Sequence, residues 1–283
     1  MSPPSPAHQP RLAMPWRVGL VFVAVTAALI VITPVARSPF GVAPDEYHRG
    51  AHALQALLTA VVLCGIAVLA CRWLDRRPLA QLGVAGRGAL RMTLVGAAIW
   101  LLPALSAIAG CVALGWVRID LLHSPAALLL LVATQIVLVF LLEALPEELV
   151  FRGYLFVNLA ERLRRWGTIL AQAALFAAWG VLVGSVDDPV RLAVFLGFGV
   201  GLGYLRALTG TIWAGVGLHV AFQTVAQLLS GTQVPAFSVT GFGVLTFLAL
   251  GVVPFGVGLP ILERLLRSRP AWLPGAAASA PSR

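Results

Sequence analysis

The residues able to do chemistry in this 283-residue chain gather in one short stretch, Leu142-Glu143-Ala144-Leu145-Pro146-Glu147-Glu148-Leu149-Val150-Phe151-Arg152-Gly153. Three carboxylates and a guanidinium interrupt an apolar run long enough to cross a membrane, where ionisable groups are expensive and usually functional. On a helix, Glu148 and Arg152 are four apart and can pair on one face. Glu147 sits about 100° round from Glu148, less well placed for that arginine and able to point into a cavity. Glu143 lies one turn before Glu147, so two like charges oppose each other. Pro146 lacks an N–H and frees the carbonyl of Leu142, a defect tolerated where protein or cavity water satisfies it. These features suit a polar, hydrated pocket. A buried ion cluster that only joins helices is the alternative, and one Glu–Arg pair alone would favour it. Two adjacent glutamates, a proline and an uncompensated third carboxylate favour function.

The second polar intruder is His219, in Gly215-Val216-Gly217-Leu218-His219-Val220-Ala221-Phe222-Gln223. Such a histidine is commonly a satisfied core group, but its depth points to more. Glu147 lies about 21 Å above Glu161 by helix rise, and His219 lies about 12–20 Å above the turn at 206–211. The two can therefore meet at one level, with Gln223 a turn away as a hydrogen-bond donor. A shared centre requires Glu147 and His219 within about 8 Å of each other or of a common water.

The elements that must position these groups are membrane helices. Apolar residues make up 59% of the chain and charged residues only 11%, with a mean hydropathy of +0.92. Soluble domains carry about 25% charged residues, so a water-soluble globule is excluded, and disorder is excluded by the same hydrophobicity. The reading is an all-α polytopic integral membrane protein with about eight spans, at 16–36, 51–71, 92–116, 124–145, 167–184, 190–208, 211–229 and 240–262. The fourth is expected to continue into an amphipathic stretch, 146–163. The membrane domain occupies 16–266, between tails at 1–15 and 267–283 whose Pro-, Ser- and Ala-rich composition suits disorder. The net charge of +9 comes entirely from arginine on the basic side. With both termini cytoplasmic, fifteen of the twenty arginines fall inside, Arg17 and Arg206 among them, which is the bias of the positive-inside rule. The positive charge is thus topological, and no nucleic-acid partner is called for. The first span is kept as a retained helix rather than a signal peptide, because it is long and lacks a clear cleavage site.

At this point the motifs resemble a known family. EELVFRGYLF (147–156) is similar to the EExxxR signature of the CAAX prenyl protease 2 / bacteriocin-processing (CPBP, Abi) intramembrane endopeptidases. RRPLAQLGV (76–84) resembles that family's cytoplasmic segment before its third span, and GYLRALTGTIWAGVGLHVAFQ (203–223) resembles its late glycine-rich and histidine region. The resemblance implies that Glu147 activates water, supported by Glu148, Arg152 and Glu143. It also implies that His219 and Gln223 stabilise the oxyanion, with glutamine where the family has asparagine. Polarised donors of this kind stabilise tetrahedral intermediates. The family's middle motif is FxxxH, and here Phe176-Ala177-Ala178-Trp179-Gly180 puts glycine in place of the histidine. Gly180 falls near the depth of Glu147. Either Glu147 and His219 suffice, or the chain binds without cutting.

The expected function is hydrolysis of a peptide bond in a membrane-associated, CAAX-like substrate by a multi-pass protein of the plasma membrane. A non-catalytic binding or maturation factor is one alternative and a small transporter another. Polar intruders on only two spans count against the transporter. The expected partners are a membrane peptide or protein and the lipid bilayer, with oligomeric state open. No cofactor is assigned, and metal dependence is left open. A divalent metal such as zinc is compatible with His48 and His52, four apart beside Asp45 and Glu46, although a solvated loop and helix start explains them better. Cys64, Cys71 and Cys111 read as packed thiols. The glycines at 197, 199, 201 and 203 read as a helix-packing surface rather than a phosphate loop, and Asp187 and Asp188 as caps of a turn.

Overall fold

The computed structural model describes residues 12–43, 46–86, 88–230 and 236–266. They form an all-α membrane protein with long helices α1 (Met14–Arg37), α2 (Arg49–Leu74), α3 (Ala89–Ala113), α4 (Pro125–Leu159), α5 (Arg165–Leu182), α6 (Pro189–Thr209), α7 (Trp213–Ser230) and α8 (Phe242–Leu266). Six of these, all but α5 and α7, are long and apolar enough to cross a membrane. The two exceptions carry Arg165 and Gln172, and His219, Gln223 and Gln227, which lower their hydropathy. The tails expected at 1–15 and 267–283 lie outside the described residues, except for 12–15.

Helix starts follow local chemistry. Ser124 and Asp188 cap α4 and α6 ahead of Pro125 and Pro189, where a missing N–H costs nothing. His48 caps α2 by accepting the Ala51 N–H through Nδ1 at 3.2 Å. The two strands Arg118–Leu121 and Phe237–Thr240 pair antiparallel, with Arg118 opposite Thr240, and join the loops ahead of α4 and α8.

Three helices meet through glycine. A Cβ on Gly96 of α3 would strike the backbone carbonyl of Ala214, one on Gly217 of α7 that of Thr93, and one on Gly258 of α8 that of Ile99. Small residues let membrane helices approach to backbone contact, and here they fix α7, and so His219, against α3. A Cβ on Gly199 of α6 would lie 3.0 Å from the Ala173 Cβ of α5, consistent with a packing role for the glycine run.

Two expectations gain detail. The stretch 146–163 continues the fourth span as expected, but its polar residues within 147–159 face inward: every residue there except Val157 is buried, because α4 runs through the interior with helices on all sides. Its backbone is wound wider over Phe140–Ala144 and Glu148–Leu155 as π-helical turns, a feature common at functional sites. Arg17 and Arg206, counted among the cytoplasmic arginines, do not lie on the surface. They are 1% and 2% exposed, held by partners inside the protein.

Candidate active site

Glu147, Glu148, Arg152 and His219 converge between α4 and α7. Glu148 Oε1 accepts Arg152 Nη1 at 3.0 Å, and both side chains are fully buried. A buried pair of this kind persists only where its remaining polar atoms find compensation. Arg152 finds it partly in Phe176, whose ring centroid lies 4.5 Å from the guanidinium carbon. His219 Nδ1 lies 3.5 Å from the same Glu148 oxygen, and its Nε2 lies 3.8 Å from Glu147 Oε2. The separation is well inside the limit of about 8 Å set by a shared water. Phe198 closes the other side of the imidazole edge-on, with centroids 4.9 Å apart. Gly215 leaves room for Glu148, since a Cβ there would collide with Oε2.

The two carboxylates differ in what is left free. Glu148 is committed to Arg152 and to the histidine, and no surface of it is open. Glu147 retains 8% exposure and makes no hydrogen bond to a cation. It is therefore the carboxylate of the pair that can reach water.

Gln223 is hydrogen-bonded through its amide to Glu143 rather than to Glu147, and Gln227 Nε2 donates to the other Glu143 oxygen at 2.8 Å. Gln135 in turn donates to Gln227. Sequence reasoning singled out Glu143 and Gln223 but missed Gln135 and Gln227. The signal was available for Gln227, because His219, Gln223 and Gln227 recur at four-residue spacing on one face of α7.

Gly180 lies on α5 one turn beyond Phe176. A Cβ there would meet Phe195 at 2.8 Å and Val186 at 2.9 Å. Phe195 stacks on Phe176 with centroids 5.3 Å apart, so aromatic packing fills the space a longer side chain at 180 would need.

A second polar group, wholly missed from sequence, anchors the C-terminal end of α4. Arg17 Nη1 donates to Asp75 Oδ1 at 2.9 Å and to Asn158, and its Nη2 donates to Glu161 at 2.8 Å. Tyr154 and Asn158 add bonds of 3.1 and 2.9 Å to Asp75, and Arg77 reaches Glu161 at 2.6 Å. Arg206 Nε donates to the Arg152 carbonyl at 2.9 Å, pinning the wide turn that carries the site.

Among the described residues no group of three or more His, Cys, Asp or Glu is arranged to hold a metal ion. His48 and His52 pack against Phe40 and Tyr47 respectively, and Asp45 lies outside the described residues. The three cysteines are free thiols, Cys71 and Cys111 buried.

Residues 128–225 match the model of the Rce1-like family, type II CAAX prenyl endopeptidase Rce1-like. The matched segment runs from α4 through His219 and Gln223. No curated protein matches the chain.

Proposed function

We propose that this chain, whose residues 128–225 match the Rce1-like family model, is an intramembrane endopeptidase that uses Glu147 to activate water. The observation that carries the reading is the 3.8 Å approach of Glu147 Oε2 to His219 Nε2 beside a sealed Glu148–Arg152 pair. Glu147 takes a proton from water, and the water oxygen forms a bond to the carbonyl carbon of the substrate. The carbon–nitrogen bond then breaks, and Glu147 returns the proton to the leaving amine, leaving a carboxylic acid and an amine. General-base catalysis of this kind contributes about 10²–10⁴-fold. Glu148, held by Arg152, orients the imidazole through Nδ1 and leaves Nε2 on the Glu147 side, where it can polarise the carbonyl or its oxyanion. The substrate class we assign is a membrane-tethered peptide, with a prenylated CAAX-like end as the family's example, and the setting we assign is the plasma membrane with both termini cytoplasmic.

A second reading has its own support. Phe195 and Val186 fill the space beside Gly180, so no side chain of α5 reaches the centre from that position. A protein that binds membrane peptides without cutting them fits this feature. Cleavage of a membrane-tethered peptide library by purified protein separates the two. Cleavage by the wild type that disappears in Glu147→Gln supports the hydrolase. Equal cleavage by both removes Glu147 from the mechanism, and binding without cleavage by the wild type establishes the second reading.

A further inference from the structure

The Glu147–His219 centre is one end of a longer polar seam between α4 and α7. His219, Gln223 and Gln227 line one face of α7, and Glu147, Glu143 and Gln135 stand opposite on α4. By helix rise the seam is about 12 Å long from His219 to Gln227. Glu143, Gln135, Gln223 and Gln227 are half-buried rather than sealed. Beyond Gln135 the seam meets a cavity of about 130 Å³, lined also by Tyr47, Arg49 and Thr134.

Glu143 is the anomaly in this seam. Among the described residues it forms no ion pair, its hydrogen bonds come from the neutral amides of Gln223 and Gln227, and the nearest charge along the helix is another carboxylate. An anion so placed in a low-dielectric setting gains more from a cation than from amides. The glutamines offer both N–H and C=O groups, the complement of a peptide main chain. We infer that the seam receives the extended backbone of the substrate and that Glu143 takes a positively charged substrate residue, lysine or arginine. Glu143 lies about 6 Å from Glu147 along α4. Two residues of an extended strand cover about 6.6 Å and return to the same face, so the cation falls two residues from the scissile bond. This register rests on Glu147 being the hydrolytic base.

The test uses purified full-length protein and membrane-tethered fluorescent peptides that differ only in carrying lysine, norleucine or glutamate at each position in turn, with cleavage and equilibrium binding read separately. Lysine is expected to exceed norleucine about tenfold in kcat/KM at one position two residues from the cut, about 1.4 kcal/mol, with glutamate the poorest. In Glu143→Gln the lysine-to-norleucine ratio is expected to fall to within about twofold, whatever happens to the overall rate. A wild-type ratio near one at every position overturns the inference, as does a ratio that Glu143→Gln leaves unchanged. The wild-type comparison decides the matter even if the variant fails to fold. If no peptide is cut, the hydrolytic reading fails on its own account, and the same ratios taken from binding decide whether Glu143 selects a cation.

Discussion

The middle of α4 and its C-terminal end both bury charge, but on opposite terms. At the end, Asp75 is enclosed by Arg17, Tyr154 and Asn158, both of its oxygens are engaged, and Glu161 is shared between Arg17 and Arg77. In the middle, Glu148 Oε2 and the Nε and Nη2 atoms of Arg152 have no hydrogen-bond partner, against the Arg17 Nε at the end, and the nearest cationic partner of Glu147 is an imidazole 3.8 Å away. Buried polar groups are nearly always paired, so each orphan calls for an explanation. A satisfied network rigidifies a fold, whereas an unsatisfied one costs stability that function can repay. The contrast supports the proposed division, in which the end of the helix holds the bundle together and the middle carries the chemistry.

The sharpest way to break that comparison is to remove one charge from each region. Glu147→Gln is expected to lower peptide cleavage by about 10²–10⁴-fold while leaving the thermal unfolding midpoint almost unchanged, since Glu147 anchors no cation. Arg17→Ala is expected to do the reverse. It strands Asp75 in the interior and costs about 3–5 kcal/mol of stability, read as a lower midpoint in detergent, while the folded fraction keeps its specific activity. If Arg17→Ala abolished cleavage in protein that melts like the wild type, the division between the two regions would collapse.

How much of this was legible in the residues differs by region for a physical reason. The central site could be read because its partners are close in sequence or sit at helical spacing: Glu148 and Arg152 four apart, and His219 at a matching depth. The terminal network joins α1, the end of α2 and α4 across separations of 58 and 141 residues, and no periodicity links Arg17 to Asp75 or Asn158. The arginine count assigned Arg17 and Arg206 to the cytoplasmic side, but a count carries no sign that both are buried. The buried face of 146–163 was hidden likewise, since charges that pair inside a protein resemble a solvated face. Gln223 shows the limit at the site itself. Its spacing from His219 was legible, but whether a side chain one methylene longer than asparagine would reach Glu143 could not be known without the helix separation.

A smaller effect tests how closely the central site depends on packing. Gly217 lets α7 touch the Thr93 carbonyl of α3, and an added Cβ would collide with that backbone atom. Gly217→Ala is expected to cost about 1–3 kcal/mol through overpacking and to shift His219, two residues on, away from Glu147. Cleavage should therefore fall further than the melting midpoint implies. The matching change at Gly197, with open space beside it, serves as the control and should leave both readouts near the wild-type values.

The smallest effect belongs to a carboxylate outside both regions, and it marks the solvent-exposed limit of the comparison. Asp188 caps α6, its Oδ1 accepting the backbone N–H groups of Val190 at 2.7 Å and Arg191 at 3.0 Å. The Arg191 N–H, with help from that of Val190, holds its carboxyl below the ordinary value. A group whose folded-state value is depressed stabilises the fold above its unfolded value and loses that contribution as pH falls through the folded one. Asp188→Ala should therefore lower the melting midpoint slightly at about pH 7, with the difference shrinking as pH falls below the ordinary aspartate value of about 3.9 and on through the lower folded-state one. Asp188→Asn, which keeps an acceptor oxygen without the charge, should lose less. Melting curves of the three proteins across that range decide the matter. A difference independent of pH would mean that the oxygen, rather than its charge, does the capping. Cleavage should follow none of these changes, because Asp188 belongs to neither buried centre.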